Sequence, residues 1–210
     1  MTELPRDASG FRLRGLAMTR VETFTDAAFA FALTLLVVSL EPPTDIAALR
    51  QALLGVPAFL LSAAMLMLFW WGHHEWSRRY GLDDGRSMVL SCVLVFTVLV
   101  YVYPLRFMFG TMIEWMRMVV GGAVTNDLGI RGPADVSTLF AIYGVGFAAM
   151  STAVMLLNLH AWSRREQLGL DAVERHLTIG VIGAYGILTA AGIISVAVAL
   201  ATPTTMVGLP

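Results

Sequence analysis

Five stretches of this chain each run for about twenty residues or more with almost no charge, which is the length a helix needs to cross the hydrocarbon of a bilayer. They extend from about Met18 to Leu40, Gly55 to Trp76, Ser87 to Phe109, Val136 to Trp162 and Leu177 to Ala201. The first is closed by Glu41-Pro42-Pro43 and the last by Thr202-Pro203, both firm helix stops. Pro104 falls near the end of the third. The composition agrees: 57% of residues are hydrophobic and 14% charged, where soluble domains carry roughly a quarter charged residues. The expected fold class is therefore an all-α integral membrane bundle of five spans.

The stretch Thr111–Gly122 carries Glu114 and Arg117, three apart on one helix face, and reads as an extension of span three or an interfacial helix. Arginine placement decides between five spans and six. Arg6, Arg12, Arg14 and Arg20 precede span one; Arg78, Arg79 and Arg86 separate spans two and three; Arg164, Arg165 and Arg175 separate four and five. With five spans all of these face the cytoplasm, and only Arg50, Arg106, Arg117 and Arg131 face outward. A sixth span at Thr111–Gly122 would turn the Arg164 group outward. The expected topology is a multi-pass protein of the cell membrane with a cytoplasmic N-terminus. Its segments are an N-terminal stretch (1–17), a single membrane domain (18–203) and a short tail (204–210). The opening MTELPRDASGFRLRG is polar and does not read as a secretory signal.

A net charge of −1 removes any electrostatic case for nucleic acid. The single Cys92 lies in an apolar run and offers neither a disulfide framework nor a thiolate metal site.

Span one carries the most unusual pattern. Its first turns, RVETFTDAAF, hold several groups that are costly in hydrocarbon. At about 100° per residue, Phe24, Ala27, Phe31, Thr34, Leu35 and Val38 fall within about 60° of Arg20. Asp26 lies roughly 120° away and Phe29 on the opposite face. A membrane aspartate costs about 2.5–3.5 kcal/mol on insertion scales and pairs inside the bundle, so Asp26 requires a partner on another helix.

Arg20-x-x-x-Phe24-Thr25-Asp26-x-x-Phe29 resembles the R-x-x-x-F-S-D-x-x-F signature of the transmembrane protein 175 family of potassium channels. The likeness continues through Ala30-Phe31-Ala32-Leu33-Thr34-Leu35-Leu36-Val37 and into FWWGHHEW at the end of span two. It implies a homotetramer with K⁺, and other monovalent cations, passing through a pore lined by the first span. Phe31, Leu35 and Val38 would form its hydrophobic constriction and Thr34 a hydroxyl layer. Arg20, Phe24, Thr25, Asp26 and Phe29 would be the signature that orients the helix. Trp70 and His74, four apart, can share a face toward span one, so Trp70, His73 and His74 are candidate partners for this group. No enzymatic activity, cofactor or metal is implied. Thr25 stands where the family has serine, and family repeats have six spans where five are counted here.

Two readings from other classes compete. His73-His74-Glu75, with His160 near the same face, invites a membrane enzyme. However, adjacent histidines point about 100° apart on a helix, and no H-E-x-x-H spacing is present. A small-solute carrier is the other. Thr34 also has a bland role, bonding back to the carbonyl one turn earlier. The small residues Gly144, Gly146 and Ala148, and then Gly180, Gly183 and Gly186, are expected to let helices four and five pack closely.

Overall fold

A computed structural model describes residues 4–38, 42–121, 130 and 132–201. Among these residues there are six helices: α1 (Arg20–Val38), α2 (Ile46–Leu54), α3 (Val56–Tyr80), α4 (Gly85–Val119), α5 (Pro133–Ser163) and α6 (Ala172–Ala201). All except α2 are long and apolar enough to span a membrane, so the five expected spans are present. The short α2 was not foreseen. Asp45 starts it, its carboxylate accepting the Ala48 N–H at 2.7 Å, and Gly55 ends it before Pro57 opens α3.

The stretch from Thr111 proves to be an extension of span three. α4 continues through Pro104 and runs for 35 residues, roughly 50 Å at 1.5 Å per residue. That exceeds a hydrocarbon core of about 30 Å, so α4 either projects or tilts. In the last turns of α4 Arg117 pairs with Glu114 at 2.8 Å and donates to the Leu54 carbonyl at 2.6 Å, tying α4 to the end of α2.

The core is built from α1, α3, α4 and α5. Phe29, Ala32 and Leu36 of α1 pack with Leu66 and Phe69 of α3, Val98, Val102 and Leu105 of α4, and Met150 and Val154 of α5. α6 lies outside, mainly against α5. That contact depends on small residues. A Cβ on Gly144 would come within 2.7 Å of the Gly192 carbonyl, and one on Gly192 within 2.9 Å of Ala148. Gly146 faces the Tyr101 ring on α4 instead. Gly180 and Gly183 meet nothing within the subunit, so close packing of α6 does not account for them.

The residues before α1 are more ordered than a polar N-terminal stretch suggests. Arg6 and Arg12 form an isolated antiparallel bridge around a turn at Gly10, where φ is +86°. This places Phe11, fully buried, among Trp76 and Tyr80 of α3, Leu157 and Ala161 of α5, and Leu170. The Phe11 and Tyr80 rings meet edge-on at 5.4 Å. The arm then crosses the end of α3, where the Arg14 and Gly15 amides donate to the Arg78 carbonyl at 3.1 and 3.0 Å. Gly81 permits this crossing. It ends α3 in a left-handed conformation with φ of +59°, and a Cβ there would lie 2.9 Å from the Arg14 carbonyl carbon.

Arg12 and Arg14 converge on Glu174, which is fully buried at the start of α6, at 2.6 and 3.0 Å. The hydrogen bond to Glu174 raises the Arg12 pKa above its ordinary value. On the same side of the bundle, where Arg14 and Arg79 both lie over the Phe11 ring, Arg79 pairs with Asp7 at 3.2 Å. Asp84 caps α4 and also pairs with His160 at 2.8 Å and Arg164 at 3.4 Å. The arm and both interhelical arginine groups therefore lie at one end of the bundle, where α1 begins.

Candidate functional site

α1 divides cleanly into two faces. Glu22, Thr25, Phe29, Ala32 and Leu36 are buried against α3 and α4. Arg20, Phe24, Ala27, Phe31, Thr34 and Val38 are exposed, Phe31 by 57% and Val38 by 69%. Leu35 is half-buried at the border and packs partly on the core. The stripe expected from helical periodicity therefore points away from the subunit's own core. Thr34 Oγ1 donates to the Ala30 carbonyl at 3.0 Å, one turn back. Its hydroxyl oxygen keeps its acceptor capacity.

Directional bonds fix the rotation of α1. Trp70 Nε1 on α3 donates to Asp26 Oδ1 at 2.8 Å, which supplies the partner that a membrane carboxylate requires. The His74 ring stacks on Trp70, with centroids 5.3 Å apart and planes 20° from parallel. His74 Nδ1 stands 3.8 Å from Glu22 Oε1. Asp26, Trp70, His74 and Glu22 thus form one polar seam between α1 and α3. Thr25 Oγ1 is buried behind α1 with no hydrogen-bond partner among the described residues.

His73 turns elsewhere, with Nε2 2.9 Å from Ser91 Oγ on α4. Glu75 pairs with Arg79 at 2.7 Å, and His160 with Asp84. The helical offset between neighbours has sent the two histidines to different helices. His73, His74, Glu75 and His160 therefore do not converge, and no shared catalytic or metal-binding geometry arises from them.

Two residues of α1's surroundings escaped the sequence reading. Glu22 falls on the Phe29 side at about 100° per residue, and this position was the available signal for its burial. Arg106 was placed among outward-facing arginines. Its side chain reaches α1, where Nη1 donates to the Leu36 carbonyl at 2.8 Å. Nothing in the sequence spacing pairs these two positions.

Comparisons with known proteins give this geometry its context. The family model for the endosomal/lysosomal potassium channel TMEM175 matches residues 20–102, from the first residue of α1 into α4. A protein named "Potassium channel" from Marivirga tractuosa is 31% identical over 199 residues, covering 92% of this chain and 79% of that protein. Among solved structures, a threonine-to-alanine variant of the potassium channel MtTMEM175, crystallised with a nanobody–MBP fusion, superposes with a TM-score of 0.86. It is 30% identical, and the match covers 93% of this chain and 85% of that one.

The chain is a multi-pass α-helical membrane protein of a channel class, not an enzyme. It belongs to the TMEM175 family.

Proposed function

We propose that this chain is the subunit of a potassium-permeable cation channel and that copies of it assemble, as a homotetramer, around α1. The observation that carries this reading is the division of α1. One face is locked to α3 by the Asp26–Trp70 bond, while the other turns apolar side chains away from the subunit. In this reading Phe31, Leu35 and Val38 ring the axis as a hydrophobic constriction, and Thr34 offers hydroxyl oxygens between them. Arg20 stands at the entrance. Phe24 and Thr25 belong, with Asp26 and Phe29, to the signature that sets the helix's rotation. The arginine-rich end is cytoplasmic, because arginines near membrane spans are retained on that side.

The chain has no TVGYG-like loop to offer carbonyl oxygens in place of an ion's water. Permeation therefore depends on the radius of the apolar ring and on how readily it wets. K⁺ releases water more easily than Na⁺, so a narrow apolar ring favours K⁺ to a modest degree. The permeant ions are the only small partners in this mechanism, and it uses no cofactor.

The test is flux of K⁺ and Na⁺ into liposomes for wild type and Leu35→Asn. The asparagine ring wets more readily, so faster and less selective flux is expected. Unchanged rate and selectivity would remove Leu35 from the constriction.

A further inference from the structure

We infer that Arg106 is a positioning residue for the conduction path, a second anchor that fixes the far end of α1 and with it the width of the narrow ring. The inference rests on the reading of α1 as the pore wall.

Arg106 lies well inside α4, next to the fully buried Leu105. An arginine within a membrane helix is costly even on the mildest insertion scales, and such residues are retained for a specific partner or role. Here the partner is the Leu36 carbonyl, 2.8 Å from Nη1. Leu36 lies two residues before Val38, the last described residue of α1. Backbone carbonyls point toward the C-terminal, negative side of a helix dipole, where a cation is favoured. The guanidinium therefore meets a backbone acceptor whose electrostatics suit it.

The position of that carbonyl gives the contact its consequence. Leu36 directly follows Leu35 and lies two residues before Val38, so the bond falls within the proposed constriction. At the other end α1 is held by Asp26 and Trp70. The ten residue steps from Asp26 to Leu36 span roughly 15 Å of helix. A rod held at one end can pivot, and the displacement grows toward the free end. The packing of Ala32 and Leu36 on Val102 and Leu105 is apolar and non-directional, and it resists sliding weakly. A hydrogen bond is directional and sets one distance. Two anchors thus fix both the rotation and the tilt of α1, where one would fix the rotation alone.

Arg106→Met removes the donor while keeping an unbranched side chain that suits hydrocarbon. Arg106→Lys keeps a cationic donor. Both are reconstituted beside wild type and Leu35→Asn, assembly is checked by size-exclusion chromatography, and reversal potentials are measured under opposed K⁺ and Na⁺ gradients. The expected result is an assembled Arg106→Met whose K⁺ over Na⁺ permeability ratio falls toward one, with Arg106→Lys retaining most of the wild-type ratio. If Arg106→Met fails to assemble, Arg106→Leu, which likewise has no donor, is read in the same way. A wild-type ratio in an assembled donor-removing variant, in the preparation where Leu35→Asn shifts it, overturns the inference and leaves the pore reading standing. If Leu35→Asn also shifts nothing, the pore reading itself has failed.

Discussion

The two ends of α1 are held in contrasting ways. At the arginine-rich end the chain reaches α1 through an arm bound by many contacts: Phe11 in its apolar pocket, Arg14 and Gly15 on the Arg78 carbonyl, and Arg12 and Arg14 on Glu174. At the far end α1 meets α4 through apolar packing and the Arg106–Leu36 bond. The difference follows the solvent. Near water, ion pairs can be numerous because most of the charges, the buried Glu174 excepted, keep part of their hydration. In hydrocarbon every polar group is expensive, so few are present and each has a specific partner. Redundant contacts make the first end a foundation, whereas among the described residues the second is the end where the proposed Arg106 anchor acts.

The contrast can be broken most strongly at Glu174. Its carboxylate is buried beneath two guanidiniums, so Glu174→Ala leaves both without their main partner. A loss of roughly 3 kcal/mol is expected, the order found when a buried ion pair loses one member. Thermal unfolding in detergent measures it. A loss within the scatter of ordinary surface substitutions would mean that the arm's other contacts suffice.

A smaller effect is expected at the polar seam. Asp26→Ala leaves Trp70 Nε1 without its acceptor, at a cost of roughly 1–3 kcal/mol for an unpaired donor. Because the bond orients α1 and does not face the axis, the variant should weaken assembly more than it changes ion preference. Intact assembly with collapsed selectivity would reassign the carboxylate to the ion path.

The smallest effect concerns pH at the arginine-rich end. Burial works against the Asp84 carboxylate, yet the Ser87 amide and the His160 ring outweigh it and hold its pKa down at about 2. A carboxylate held below its ordinary value stabilises the fold fully above about pH 4 and loses that contribution as pH falls toward about 2. Asp84 is partly solvated, so screening keeps the effect small. The melting difference between wild type and Asp84→Asn should therefore be present at pH 5 and shrink on acidification. A difference that stays constant over that interval would exclude this linkage.

Much of the fold was legible because a bilayer imposes length and hydropathy on every span. The five runs gave the five long helices, and the arginine pattern grouped the loops at the end where they are found. The stripe of span one was legible for the same kind of reason: a period of 3.6 residues places Phe24, Phe31 and Val38 on one side before any neighbour is known. What periodicity cannot supply is the identity of the neighbours. It required a partner for Asp26 and put Trp70 and His74 on one face of α3, but it could not choose between the indole and the imidazole, because that choice depends on how the two helices pack. The arm was missed because a polar segment with one phenylalanine carries no periodic signal. Its order comes from a cavity formed jointly by α3, α5 and the loop before α6.

The sequence by itself determined a five-span helical membrane protein, the two faces of its first helix and its family signature, since each depends on residues close together in the chain. Only the tertiary structure decided that Glu174 receives the arm, that the histidines part company and that Arg106 holds Leu36. Those pairings join residues 70 or more positions apart, or neighbours sent to different helices, and they exist only once the helices have packed.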